Sequence, residues 1–191
     1  MERNELYPVF LKTTRLNILV VGGGNVAEEK LHFLFKSSPE SRVEVVATSF
    51  REELLRLVEK HRCIPFLKKY ETSDLDGKHI VIAATDDKTL NQRIHNEARS
   101  RNLLVNVADT PELCDFYLGG IVTKGHVKLA ISTNGKSPVL AKRLRQLFER
   151  ILPEHMNDLV ENLHQYRKSL VGTFEEKVNR LNKVTKDFIV G

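Results

Sequence analysis

The apolar run Ile18-Leu19-Val20-Val21 ends directly on three glycines, Gly22-Gly23-Gly24, and the mixed segment behind them has a helical period. Val26, Leu31, Leu34 and Phe35 recur on one face, which predicts a helix over about 26–36. Residues 42–47 read as a second strand, 50–61 as a second helix and 64–67 as a short third strand. Residues 79–84 follow as a buried strand, 89–101 as a helix and 103–107 as the next strand. Strands separated by crossover helices predict an α/β protein with a Rossmann-like, doubly wound parallel sheet. Ligands on such a sheet bind outside the carboxyl ends of the strands. By that rule the residues to weigh are Gly22 to Asn25, Thr48 and Ser49, Thr85-Asp86-Asp87, and Asp109, all of which follow strands.

After Pro111 the pattern changes. Residues 120–131 read as two strands around a Lys124-Gly125 turn, with Val127, Leu129 and Ile131 alternating inward. A lone hairpin is marginally stable, so pairing with its copy in a second chain is one solution, and a homodimer is expected. A polar loop, Ser132-Thr133-Asn134-Gly135-Lys136-Ser137, leads to a helix over about 139–152, with Ser137 as N-cap and Pro138 at the first helical position. Leu140, Leu144, Leu147, Phe148 and Ile151 fall on one side of it. Helical segments continue over 153–168 and, beyond Gly172, over 174–189. The expected organisation is a nucleotide-binding Rossmann domain over 1–112, a small strand-containing dimerisation and substrate domain over 113–150, and a helical C-terminal domain over 151–191.

With 191 residues, 41% of them hydrophobic, the chain can bury one full-sized core plus something smaller. Its aliphatic runs fall far short of the roughly 20 apolar residues a membrane helix needs, so no membrane partner is expected. The segment Met1-Glu2-Arg3-Asn4-Glu5 has no apolar stretch of a secretion signal. Only Cys63 and Cys114 are available for a disulfide, and no Cys/His spacing suggests a metal site; reduced thiols and a cytoplasmic address are expected. The net charge of +5 is concentrated: Lys124, Lys128, Lys136, Lys142, Arg143, Arg145 and Arg150 face only Glu149 between Gly120 and Arg150. Such a block is either a solvated face or a footprint for an anionic partner. Without interleaved aromatics or a nucleic-acid-binding signature, a small polyanion is favoured over nucleic acid.

Gly22-x-Gly24-x-x-Ala27 fits the dinucleotide fingerprint G-x-G-x-x-G/A, in which absent side chains let backbone N–H groups and a helix N-terminus approach a pyrophosphate. A glycine turn that merely tightens a βα corner fits the same letters. The wider motif set decides between them. Tyr7-Pro8-Val9-Phe10-Leu11, the Gly-Gly-Gly-Asn25-Val26-Ala27 turn, Ile82-Ala83-Ala84-Thr85-Asp86-Asp87, Asn91, Val105-Asn106-Val107-Ala108-Asp109, Cys114-Asp115-Phe116, Ala130-Ile131-Ser132-x-x-Gly135-x-Ser137-Pro138-Val139-Leu140-Ala141 and Leu152-Pro153-Glu154-His155 occur in a known order. From about Tyr7 to His164 the chain resembles the precorrin-2 dehydrogenases, the family that also forms the N-terminal part of siroheme synthase.

The resemblance implies NAD-dependent oxidation of precorrin-2 to sirohydrochlorin by a dimer, with insertion of ferrous iron into the product in some members. It implies cofactor contacts at Gly22, Gly24, Asn25 and Val26, at Thr48 and Ser49 near the adenosine, and at Thr85 and Asp86 near the nicotinamide half. Asp109 matches the family's catalytic aspartate and Ser132 a serine beside the tetrapyrrole; Asn134, Lys136 and Ser137 join it as substrate-binding candidates, with no metal ligands assigned. The many carboxylates of a tetrapyrrole suit the basic block. Residue chemistry alone reads Asp109-Thr110-Pro111 as a turn and Thr85-Asp86-Asp87 as a helix cap. A reading from another class is a non-catalytic dinucleotide- or tetrapyrrole-binding regulator with the same fold. The acidic residue that commonly holds the ribose, about 20 residues beyond the glycines, is missing from the end of the second strand. Val46-Ala47-Thr48 stands there, Glu44 sits mid-strand, and Arg51 leaves NADP open.

Overall fold

The apolar run before the glycines forms β1 (Asn17–Val21) in the computed structural model, which describes residues 4–186. β1 is the middle strand of a five-stranded sheet with β2 (Arg42–Ala47), β3 (Ile64–Leu67), β4 (Ile80–Ala83) and β5 (Leu104–Val107), in the order β3-β2-β1-β4-β5. All four pairings are parallel. A central strand covered on both faces needs an apolar residue at every step, and β1 supplies one: Ile18 and Val20 enter one core, Leu19 and Val21 the other. β4 repeats the division, with Ile80 and Ile82 opposed to Val81 and Ala83.

On the first face α1 (Asn25–Ser37) and α2 (Glu52–Lys60) bury Ala27, Leu31, Phe35, Leu54 and Val58. On the second, α3 (Lys88–Ser100) buries Ile94 and Ala98 beside Tyr70 and Leu75. The inward set expected for the first helix is met, with Val26 and Leu34 partly buried against the same core. β3 is an edge strand whose side chains are all exposed, and it carries Pro65, a residue tolerated at an edge because it lacks the ladder N–H.

One compact unit takes in the chain up to Gly120 together with Ile131–Ala141; the other takes in Ile121–Ala130 and the chain from Lys142. The strands β6 (Gly120–Lys124) and β7 (Val127–Ile131) form a two-stranded sheet. Its turn is Gly125-His126, one residue beyond the expected Lys124-Gly125, because Gly125 takes the positive φ of +56° and Lys124 still belongs to the strand. The expected alternation is blurred: Val127, Lys128, Leu129 and Ile131 are all half-buried, and in β6 only Val122 is buried. Each side chain of a two-stranded ribbon has a single cross-strand neighbour, which half-covers it.

Three helices follow, α4 (Pro138–Ile151), α5 (Met156–Ser169) and α6 (Phe174–Thr185). Ser137 caps α4 as expected, its Oγ accepting from Leu140 N at 3.2 Å. Thr173 and Glu176 form a reciprocal capping box on α6 that the apolar period did not reveal. The apolar stripe of α4 is only partly covered: Ala141 is buried, Leu144 and Phe148 are half-buried, and Leu140, Leu147 and Ile151 are exposed. A helical period identifies an apolar face without identifying what covers it. The expected run of the last helix to residue 189 lies partly outside the described residues. Among those residues, no helix is long and apolar enough to cross a membrane.

Leu19 is wholly buried at the centre of the sheet. Leu19→Ala is expected to lower unfolding free energy by about 2–5 kcal/mol, measured by chemical denaturation. A loss under about 1 kcal/mol would show that the second core is not packed as described.

Candidate dinucleotide site

One residue beyond β1, β4 and β5, a backbone N–H reaches across to the neighbouring strand. Gly22 N donates to Val46 O at 2.9 Å, Ala84 N to Val21 O at 2.8 Å and Ala108 N to Ala83 O at 2.9 Å. The loops that leave β1, β4 and β5 therefore start at one level along the carboxyl edge.

The three glycines divide the work. Gly22 has φ +136°, and a Cβ there would lie 2.2 Å from Ala84 O. A Cβ on Gly23 would lie 1.8 Å from Ser49 O and 2.9 Å from the Ala47 Cβ, and Arg51 N donates to Gly23 O at 3.0 Å. Protein contacts thus exclude a side chain at both positions. Gly24 differs: apart from its chain neighbours, no heavy atom of the described residues comes within 4 Å of its Cβ position, and its backbone is extended, with φ −96° and ψ −167°. It is the N-cap of α1 and gives that helix no side-chain cap, so α1 presents its positive end and first-turn N–H groups beside open space. Ala27, wholly buried, lets α1 lie close on the sheet. A tight turn, an open approach and close helix packing are what the fingerprint requires, and the site fits a pyrophosphate. Asn25 and Val26 supply the first backbone groups of α1.

At the end of β2, Thr48 and Ser49 are exposed, and the Ser49 carbonyl is the group pressed against Gly23. Glu44 lies within β2, where Lys78 Nζ holds its carboxylate at 2.8 Å. The end of the strand therefore carries hydroxyls where a ribose-binding acid is common. Arg51 follows as the N-cap residue of α2.

Beyond β4, Thr85 is fastened to Asn91. Thr85 Oγ1 donates to Asn91 Oδ1 at 2.7 Å, and Asn91 Nδ2 donates to Thr85 O at 2.9 Å. Asn91 is buried, and its anchoring part was not read from the sequence. The signal was available, because Asn91, Ile94 and Ala98 share one inward face of α3. In the string Thr85-Asp86-Asp87 the cap is Asp87, which accepts from Thr89 N at 2.8 Å and Leu90 N at 3.1 Å. Asp86 is exposed at the same edge.

Beyond β5, Asp109 adopts φ +55°, a left-handed conformation that Asp tolerates better than most residues. It is exposed, so the turn residue and the carboxylate at the ligand edge are one group. The loop carrying it is fastened on its far side. Cys114 Sγ accepts from Val107 N at 3.3 Å and donates to Val107 O at 3.2 Å; burial raises its pKa, as suits an inert thiol. The Asp115 carboxylate accepts from Val105 N at 2.9 Å and from Arg99 at 2.6 Å. Asn106, buried in β5, donates to Phe116 O at 2.8 Å. Its Oδ1 has no partner among the described residues.

The loop Ser132 to Ser137 lies in the same compact unit as the sheet. It is bonded largely to itself: Ser132 Oγ accepts from Asn134 N at 3.1 Å, Thr133 Oγ1 donates to Ser137 O at 3.1 Å, and Lys136 N donates to Thr133 O at 3.0 Å. Ser132 and Lys136 are exposed, and Asn134 and Ser137 half-buried. The Ser137 hydroxyl is engaged in capping α4. Part of the basic block is already paired, Lys124 with Glu154 and Arg145 with Glu149. Among the described residues no three His, Cys, Asp or Glu side chains converge as metal ligands.

Two family models match consecutive stretches, one described as "Putative NAD(P)-binding" over residues 9–120 and one described as "Sirohaem biosynthesis protein central" over residues 124–151. Siroheme synthase of Pseudoalteromonas atlantica (strain T6c) is 37% identical over 187 residues, which are 95% of this chain and 37% of the relative. Siroheme synthase of Psychrobacter sp. (strain PRwf-1) is 37% identical over 155 residues, 81% of this chain and 31% of that relative. The chain thus spans about a third of the length of the curated relatives it matches. The solved structure of SirC, precorrin-2 dehydrogenase, is 24% identical and has a TM-score of 0.71, covering 94% of this chain and 89% of that one, which shows a shared fold. The first family model takes in more than half of the sequence, and the chain belongs to that NAD(P)-binding family, with a segment matching the sirohaem-biosynthesis family directly behind it.

Proposed function

We propose that the chain is an NAD-dependent dehydrogenase that oxidises precorrin-2 to sirohydrochlorin in sirohaem biosynthesis. One observation carries the reading: Gly24, Thr48, Thr85 and Asp109 each follow a strand of one parallel sheet at its carboxyl edge, the edge where such sheets bind dinucleotides. The Siroheme synthase relatives and the sirohaem-family segment at 124–151 point to a tetrapyrrole substrate.

In this reading the N-terminus of α1, with Gly22, Gly24, Asn25 and Val26, holds the pyrophosphate. Thr48 and Ser49 face the adenosine, and Thr85 and Asp86 line the nicotinamide half. Bound NAD supplies a two-electron hydride acceptor. Asp109 accepts the proton that leaves the substrate, from a corner kept in place by Cys114 and Asp115. Ser132, Asn134 and Lys136 meet the substrate's polar rim, and Ser137 fixes the shape of their loop through its cap on α4. A second copy of the chain covers the hairpin and the exposed Leu140, Leu147 and Ile151, giving a homodimer. The two free cysteines suit a reducing compartment such as the cytoplasm.

Purified protein incubated with precorrin-2 and NAD should form sirohydrochlorin, followed by absorbance; NAD binding without turnover would favour the regulator reading. Adding ferrous iron to the same assay reads insertion into the product, expected to exceed the rate without protein.

Asp109→Ala should lower turnover by about 10²–10⁴-fold while the protein still sediments at twice the mass of one chain. Unchanged turnover would remove Asp109 from the chemistry.

The glycines should separate two effects. Gly23→Ala is expected to cost about 1–3 kcal/mol of stability, because its Cβ meets the Ser49 carbonyl. Gly24→Val should change stability by no more than about 1 kcal/mol yet weaken NAD binding in a calorimetric titration at least about tenfold. Equal NAD affinity in Gly24→Val would move the pyrophosphate away from α1.

A further inference from the structure

Dinucleotide folds choose their cofactor largely at the adenosine 2′ position: a carboxylate there bonds the 2′-hydroxyl, whereas a nearby Arg accommodates a 2′-phosphate. In this chain no carboxylate stands at the end of β2, which runs out through Val46-Ala47-Thr48-Ser49. Glu44, earlier in the strand, is turned to Lys78 at 2.8 Å. The first charged side chain beyond β2 is Arg51.

The position of Arg51 is set by the glycine turn itself. Its N–H donates to Gly23 O at 3.0 Å, so its backbone is tied to the segment that leads into the pyrophosphate cradle. Its side chain is 44% exposed, and the guanidinium lies 3.9 Å from Glu28 in the first turn of α1 and 3.3 Å from Glu53 in the first turn of α2. Both pairs face solvent and are long, so they hold the side chain weakly. A phosphate dianion offers the guanidinium fork a bidentate, charge-assisted partner in their place. The exposed Thr48 and Ser49 hydroxyls stand on the same connection and can donate to the same oxygens.

Resting on the dinucleotide reading above, we infer that the site takes NADP as well as NAD, and that Arg51 is the specificity-determining residue that admits the 2′-phosphate. With NAD bound, the guanidinium keeps its two carboxylate partners. With NADP bound, it exchanges Glu53 for the phosphate. The pair of acids therefore holds Arg51 in readiness and balances its charge when the phosphate is absent.

Calorimetric titration of the full chain with NAD and with NADP tests the assignment without reference to turnover. The unaltered protein should bind both within about tenfold of each other. Arg51→Gln should weaken NADP by about 10–100-fold and NAD by less than about threefold, with an unchanged melting temperature. Arg51→Lys, which keeps the charge and loses the fork, should fall between them. Thr48→Asp, which puts a carboxylate at the end of β2, should weaken NADP selectively. NAD binding without NADP binding would overturn the inference, as would an equal loss of both nucleotides in Arg51→Gln, which marks a contact to the adenine or a structural part. If neither nucleotide binds the unaltered chain, the dinucleotide reading itself fails.

Discussion

The row of backbone hydrogen bonds just beyond β1, β4 and β5 is the constraint on which the candidate site depends. Gly22 N, Ala84 N and Ala108 N each donate to a carbonyl on the next strand, so the ladder continues one step past the regular sheet. The chain has Gly, Ala and Ala at that step, and at Gly22 a Cβ would meet the Ala84 carbonyl. The candidate site residues come just beyond it: the helix end after Gly24, which has no side-chain cap, Thr85 after Ala84, and Asp109 after Ala108. Apolar burial on both faces of β1 and β4 supplies the stability; these bonds turn it into a common level for polar groups.

Much of this was legible in the sequence because it is local. The runs that became β2 and β3 were read with their observed ends, and the other regular elements of the sheet unit within one or two residues. The Gly-Gly-Gly turn was recognisable as a fingerprint, but the work of each glycine was not. Gly23 is excluded from bearing a side chain by Ser49, a neighbour created by folding. Asn91 was hidden for a similar reason: its spacing marks an inward residue, whereas its partner, the Thr85 backbone and hydroxyl, is fixed by how α3 returns to the sheet. The turn at Asp109 follows from the chemistry of Asp-Thr-Pro, whereas the catalytic part proposed for it rests on the family likeness. The α4 stripe marks the limit of such reading, since Leu140, Leu147 and Ile151 are apolar, correctly spaced and exposed.

Charge follows the same division between local and tertiary. The basic excess between Gly120 and Arg150 is visible in composition, yet Lys124 and Arg145 have acidic partners in the fold. What a counted block leaves for an anionic ligand is smaller than the count. Arg51 is the converse case: a single cation, unremarkable in composition, gains its meaning from a backbone tie to Gly23 and from the lack of an acid at the end of β2.

The close approach of Gly23 to Ser49 reaches beyond stability. A corner with no room for a methyl group has no room for an added residue, because an insertion after β2 would drive its loop into the turn or lift it away and break the Arg51 tie. The corner thus holds that loop to its present length, and the side chains on it are free to vary only on an unchanging backbone frame.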